Sequence, residues 1–394
     1  LWHEEVQMIG AFTFNTSQRI VFERGSSARL AEHGAAFLGD HPFIVTDKGI
    51  VAAGLLSPAL NGLRGAQKQF EVFDAVAADP SRSIVMEAIE TARRHRATSV
   101  IGLGGGSSLD VAKLVALLVG SGEDLDEAWG VNQAKGPRLP LILVPTTSGT
   151  GSEVTPISII TVEDDEKRGV VSPLILPDMA VLDPDLTLGL PAPVTAATGI
   201  DAMVHAIEAY ASKSANNNPV SRTLAVEALK LLGDNLETAV NEPGNIDARS
   251  GMLLGSMLAG MAFANSPVAA VHALAYPIGG TFHVPHGLSN ALVLPHVLRF
   301  NIPAAAQAYA ELAPHVFPEL SFLQDAGERA DAFAAELAIL SQRVGLPQHL
   351  SDVGISAVDL PKMAKDAMKQ TRLLVNNPRP LEEADALAIY EAAL

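Results

Sequence analysis

The sequence contains no cysteine in 394 residues, which excludes disulfides and every metal site built on thiolates, so any metal here is held by imidazole and carboxylate. Charge is sparse at 18%, and its balance is acidic, net -17, with no run of lysines or arginines. A surface of that sign repels nucleic-acid phosphates and anionic lipid, so neither is an expected partner. No apolar run reaches the roughly 18 to 20 residues that cross a bilayer. Leu1 to Gly10 lacks a basic region followed by an apolar stretch and does not read as a secretory signal. Two enzyme signatures are missing as well: no Gly-Lys-Ser/Thr closes a Walker loop, and no Gly-x-Ser-x-Gly offers a hydrolase nucleophile. A cytoplasmic globular enzyme is the expectation that remains.

At this length a single core stops growing efficiently, so two domains around a shared crevice are expected. The first half alternates short β-branched runs with helical stretches, the pattern of a mostly parallel sheet wrapped by helices. Its candidate strands are Phe43 to Thr46, Gln69 to Phe73, Thr98 to Gly102, Leu141 to Val144 and Ala180 to Leu182. Apolar residues spaced by three and four mark helices over Ser81 to Arg96 and Ser107 to Val119. Beyond Pro191 and Pro193, alanine-, leucine- and methionine-rich stretches of helical period take over. Helices are expected over Pro193 to Ala211, Val220 to Val240, Asp247 to Ala264, around His272, after Gly287, and over Asp325 to Val344. The two prolines read as a linker, which places an α/β domain over residues 1–190 and a helical domain over 191–394.

Gly102, Gly104, Gly105 and Gly106, followed by Ser107, lie between an apolar strand and a helix, where bare backbone amides and a helix N-terminus can hold a pyrophosphate. The spacing departs from the usual dinucleotide fingerprint, because Ser107 stands where the third glycine is expected. Asp47 follows a strand end, the usual place for the acid that pairs with an adenosine ribose, although capping of the next helix is an equally common task for such an aspartate. Paired with the glycine loop, it favours NAD over NADP, since its carboxylate repels a 2'-phosphate. A second loop, Pro145 to Glu153, is dense in hydroxyls and glycine and suits either a cofactor wall or a capped turn.

Asp201 and His205 are four residues apart in a helical segment, so both project from one face and can share an ion. His272, His283 and His286 crowd a short glycine-containing region further on, and spacing alone does not choose between His283 and His286 as a ligand.

The strings GGGSSLDVAK (Gly104 to Lys113), PTTSGTGSEVT (Pro145 to Thr155), TGIDAMVHAIE (Thr198 to Glu208) and VHALAYPIGGTFHVPHGLSN (Val271 to Asn290) resemble, in order, the signatures of the iron-containing alcohol dehydrogenases. The resemblance runs from about Ala11 to the carboxy terminus. It implies a dehydroquinate synthase-like fold: an α/β dinucleotide domain and an all-α metal-binding domain with the active site between them. It also implies Asp201, His205, His272 and His286 as ligands of a divalent metal, Fe2+ by family expectation, with Zn2+ or another divalent ion chemically suited to the same set. His283 is then a residue on the cofactor side. By the same resemblance Gly104, Gly105, Gly106 and Ser107 cradle the pyrophosphate of NAD, and Asp110 lies near the nicotinamide. Thr147, Ser148 and Thr150 line the cofactor, Lys167 approaches its ribose, and Phe263 walls the substrate pocket.

The activity implied is hydride transfer between the nicotinamide and a small alcohol or aldehyde, with the metal acting as Lewis acid. One position departs from the family pattern. Many members carry a histidine four residues after the third ligand, proposed for proton transfer, and Tyr276 stands there instead. A phenol of ordinary pKa near 10 is a poor base at neutral pH, which favours a proton route through the cofactor ribose, a hydroxyl and water. The nearest rival reading is a lyase of the dehydroquinate synthase type, using the same two cofactors. Aspartate at the first ligand position and the lack of a basic cluster for a phosphorylated substrate speak against it. A homodimer or larger homo-oligomer is expected, with the strand near Phe12 to Phe22 placed to pair between subunits.

Overall fold

The computed structural model of the chain describes residues 10–162 and 167–394, and the rest of the amino-terminal stretch read above as no secretory signal lies outside them. Among the described residues the first half has nine strands: β1 (Arg19–Phe22), β2 (Pro42–Val45), β3 (Glu71–Phe73), β4 (Ser99–Gly104), β5 (Gly130–Val131), β6 (Leu141–Pro145), β7 (Ile157–Thr161), β8 (Lys167–Val171) and β9 (Met179–Leu182). Six form one parallel sheet in the order β1-β9-β6-β4-β2-β3. β2, β4, β6 and β9 are buried along their whole length, as near-continuous Val, Ile and Leu runs demand when helices cover both faces.

Register explains why the loops converge. Gly104 at the end of β4 pairs with Pro145 at the end of β6, and Val45 of β2 lies opposite Gly102. The glycine turn, the hydroxyl-rich loop and Asp47 therefore leave the same carboxyl edge of the sheet side by side, which is where open α/β sheets bind ligands. The turn passes directly into the helix Gly106–Ser121, whose residues Ser108 to Leu118 are all buried but Asp110.

Two features of this half were not expected from the sequence. β7 and β8 form an antiparallel pair with β5 alongside, a separate small mixed sheet. The expected segment Phe12 to Phe22 is strand only over Arg19–Phe22, and it pairs in parallel with β9 of its own chain.

The second half is a helical bundle built on Ala192–Ala211, Pro219–Asn241, Ile246–Asn265, Ala270–Phe282, His286–Val316 and Ala326–Arg343. Pro191 and Pro193 are not a linker, as the sequence suggested. Pro191 caps the helix Ala192–Ala211 and Pro193 sits in its first turn, where the missing amide hydrogen would have had no partner in any case. Fourteen residues of that helix are buried, spread over all its sides and apolar except chiefly for Asp201, His205 and Glu208 on one face, which places it at the bundle's centre. Gly287 lets a neighbouring helix come close: a Cβ there would lie 2.3 Å from the Ala197 carbonyl oxygen and 3.2 Å from Asp201 Cβ. The halves touch at Gly151, in the left-handed conformation at φ 57, whose Cβ would fall 2.5 Å from Gly260 Cα. Among the described residues no single helix is long and apolar enough to cross a membrane; the pair Ile246–Asn265 and Ala270–Phe282 passes by length and composition together, with a 108° bend between them.

Candidate functional site

Two cavities meet at the N-terminus of the helix Gly106–Ser121, because Gly106 and Ser107 line both. The outer one is edged by Asp47, Lys48, Gly105 and Ser108 from the sheet's carboxyl edge. The inner one runs between the halves to His205, His272 and His286.

At the inner end Asp201, His272 and His286 each offer a ligand atom within 4.8 Å of the others. His205, one turn after Asp201, falls outside that tight group, yet its ring stacks on His272 with centroids 4.7 Å apart. Its Nδ1 donates to the Gly149 carbonyl at 3.2 Å, so Nε2 keeps its lone pair. Burial pushes the pKa of His205 down to about 3, which keeps it neutral as a ligand must be. For Asp201 burial opposes ionisation, but His205, His286, His272 and the Asn290 amide outweigh it and hold the carboxyl below its ordinary value. The His286 side chain is 44% exposed whereas Asp201 is 2%, so the cluster opens to solvent on the His286 side.

Two buried polar residues that the sequence reading did not single out organise this cluster. The side chain of Glu208 accepts from His272 Nδ1 at 2.7 Å and from the backbone amides of Ala269 at 3.0 Å and Val271 at 2.7 Å. It thereby fixes the proton on Nδ1 and turns Nε2 toward the cluster. A signal was available: Glu208 follows His205 by three and Asp201 by seven, on one helical face. Asn290, one turn after His286, donates from Nδ2 to Asp201 Oδ1 at 2.6 Å, and that nitrogen also lies 3.4 Å from His272 Nε2 and 3.3 Å from His286 Nε2. Its Oδ1 is buried with no partner. An electron-rich pocket that draws a lone N–H donor to its centre suits a cation, and the set of imidazole and carboxylate donors fits a divalent first-row metal.

The cofactor-side residues divide. Gly104, at φ 155, brings its backbone against Ser108 and Asp47, and Gly106 leaves room for Thr150, whose Cγ2 would lie 2.8 Å from a Cβ there. Asp47 has both roles open to it from the sequence: its Oδ1 caps the helix Lys48–Ala52 by accepting from Ile50 N, and its Oδ2 meets Ser108 Oγ at 3.4 Å beside the outer cavity. Asp110, Thr150 and Lys167 line the inner cavity. Asp110 Oδ1 accepts from Ser152 Oγ at 2.6 Å and its Oδ2 from Ile159 N at 2.8 Å, so it braces the wall. Lys167 is ion-paired with Asp79 and donates to Thr161. Thr147, Ser148 and His283 are not among the residues lining either cavity, and His283 is exposed at the end of its helix, φ 55.

Phe263 lies against the cluster, stacked on His205 with centroids 4.3 Å apart. Tyr276 lines the same cavity, 6.2 Å from His286 between ring centroids. Burial raises its phenol pKa, with Arg372 beside it opposing. Lys113 was not given a role from sequence either. Fully buried, it donates to Ser152 Oγ, Thr155 Oγ1 and the Ile157 carbonyl, at 2.8, 3.1 and 2.6 Å, which ties the glycine-turn helix to the second loop.

A parallel sheet with a glycine turn facing an imidazole–carboxylate cluster on a helical bundle defines a two-domain enzyme built to bring a nucleotide and a metal together. The family model described as "Iron-containing alcohol dehydrogenase" matches residues 17–184, and "Fe-containing alcohol dehydrogenase family, C-terminal" matches 195–394. The chain is 42% identical over 356 residues to long-chain-alcohol dehydrogenase 1 of Geobacillus thermodenitrificans, covering 90% of this chain and 89% of that one. It is 35% identical over 388 residues to sulfoacetaldehyde reductase of Bilophila wadsworthia, covering 97% and 99%. Among solved structures, a 1,3-propanediol oxidoreductase superposes with a TM-score of 0.93 at 35% identity, covering 98% of this chain and 100% of that one. The chain belongs to the iron-containing alcohol dehydrogenase family, and its α/β and helical domains have that family's fold.

Proposed function

We propose that the protein interconverts an alcohol and its aldehyde using NAD and a divalent metal, iron first among the candidates, with Asp201, His205, His272 and His286 as the metal's ligands. The observation that carries the reading is that the glycine-turn helix N-terminus and the imidazole–carboxylate cluster line one continuous cleft. When bound, the metal supplies Lewis acidity at the alcohol oxygen and the nicotinamide gives or takes the hydride. In the reducing direction NADH and a proton are consumed per aldehyde, the hydride going to the carbonyl carbon and the proton to its oxygen.

The chain's own residues have separate tasks in this reading. Gly105, Gly106 and Ser107 offer unpaired amides at a helix N-terminus to the pyrophosphate, and Asp47 accepts from the adenosine ribose, which favours NAD over NADP. Asp110 and Lys113 hold the cofactor loop in place. Phe263 excludes water beside His205. With its pKa raised by burial, the Tyr276 phenol stays protonated near neutral pH and offers no base, so the proton travels by water on the open His286 side.

The cytoplasmic setting belongs to the same proposal, supported by the cysteine-free composition. So does a homo-oligomer, because β1 is an edge strand with no sheet partner on its outer side among the described residues. The domain boundary near residue 190 is supported by β9 ending at Leu182 and the first bundle helix starting at Ala192. The relatives' names span a long-chain alcohol and a sulfonated aldehyde, so family membership leaves the substrate open.

The test is to strip the protein of metal, reload it with iron(II) anaerobically, and follow NADH and NADPH oxidation over a panel of aldehydes and oxo acids, with His272→Ala as control. Metal-dependent NADH oxidation that vanishes in the variant is expected. Tight NAD binding with no turnover on any carbonyl or any metal refutes the reading.

A further inference from the structure

The inner cavity holds, besides the cluster, the side chains of two cations, Lys167 and Arg372. Lys167 is neutralised by Asp79. The Asp110 carboxylate in the same wall is taken up by Ser152, the Ile159 amide and Lys113. Arg372, on the short helix Thr371–Leu374, forms no ion pair with any carboxylate among the described residues. It lines the cavity together with Tyr276, whose ring stands 6.2 Å from that of His286, and with the apolar Val268, Phe263 and Leu373. In a chain of net charge -17, an arginine without a carboxylate at the wall of the reaction cavity is a placed charge. A guanidinium fork matches a carboxylate or sulfonate with two parallel hydrogen bonds, which a neutral end group cannot make.

We infer that Arg372 is a specificity-determining residue that receives an anionic end group, so that the substrate is a short aldehyde or alcohol carrying a carboxylate or sulfonate at its far end. The inference rests on the dehydrogenase reading above.

The experiment compares kcat/KM for NADH-dependent reduction of aldehydes alike in length, butanal and 4-oxobutanoate, with 3-oxopropane-1-sulfonate as the sulfonate arm, in the metal-loaded enzyme and in Arg372→Gln and Arg372→Lys. The expected result is a preference for at least one anion over butanal that falls by about 10- to 100-fold in Arg372→Gln, the range of a lost charge-assisted hydrogen bond. Arg372→Lys, which keeps the charge and loses the fork, is expected between the two. The better anionic arm distinguishes carboxylate from sulfonate. Equal or better use of butanal by the unaltered enzyme overturns the inference, as does an anion preference that survives in Arg372→Gln. A changed KM for NADH with an unchanged anion preference also overturns it, by assigning the guanidinium to the cofactor. No reduction in any arm removes the dehydrogenase reading itself, a result separable from the others because butanal does not depend on the anion site.

Discussion

Replacing Glu208 by glutamine keeps the side chain's size and removes one acceptor oxygen. Three donors converge on the native carboxylate: Val271 N on Oε1, and Ala269 N and His272 Nδ1 on Oε2. A glutamine must place its NH2 group against at least one of them. The less costly orientation faces Val271 N and leaves one buried donor unpaired, a loss of about 1–3 kcal/mol. The other orientation opposes two donors and turns His272 toward the tautomer with its proton on Nε2, which cannot coordinate. Metal-free Glu208→Gln is therefore expected to melt several degrees lower than the unaltered protein. Its affinity for Zn2+, measured by competition with a chromogenic chelator, is expected to fall by about 10- to 100-fold, the usual cost of losing a partner behind a metal-binding histidine. A lowered melting temperature with unchanged affinity would show that Glu208 only braces the loop. No change in either refutes the geometry.

Asn290→Ala removes the donor that occupies the centre of the cluster, so the metal-free protein should lose about 1–3 kcal/mol while the rise in Tm on adding Zn2+ becomes larger than in the unaltered protein; a smaller rise contradicts this. Gly287→Ala forces a methyl group against the Ala197 carbonyl, and overpacking of that kind costs about 1–3 kcal/mol. It should also separate His286 from Asp201, so a variant that binds metal normally by calorimetry counts against the close helix approach. Glu153 is 2% exposed, and burial raises its pKa to about 7. The folded state then binds more protons than the unfolded chain between about pH 4.5 and 7, so stability falls as pH rises through that window, by ~3 kcal/mol at 1.36 kcal/mol per pH unit. Glu153→Gln should flatten that decline, and thermal melts at pH 5 and pH 8 that shift in parallel for both proteins would contradict the assignment.

The parallel sheet was legible because its central strands are buried on both faces and read as unbroken apolar runs, while the long helices of the second half repeat their apolar residues with helical period. β5, β7 and β8 escaped because they are short and only partly buried, with burial alternating in segments such as Ile157–Thr161, and because β5 finds β8 from about 40 residues away. The prolines at 191 and 193 were misread because proline is as much at home in a helix's first turn as in a linker. For the site, Asp201 with His205 is a local pattern, and the resemblance supplied His272 and His286. Glu208 and Asn290 lie on the same helical faces as those residues but have the composition of ordinary polar positions, and only tertiary contact turns them inward. Arg372 could not be found by spacing, since it arrives at the cavity from about 100 residues beyond Tyr276.

The meeting of Gly151 with Gly260 has a mechanical meaning. Where two bodies join through interlocked side chains, moving one against the other means unpacking a core. Here main-chain contact and interlocked side chains occur together: beside the glycine contact Val154, Ala180 and Leu182 of the first half pack with Leu253 and Met257 of the helix that carries Gly260. The two glycines therefore set how closely that shared core can close. A bulkier residue at either position would push main chain from main chain and hold the halves apart beside the cleft.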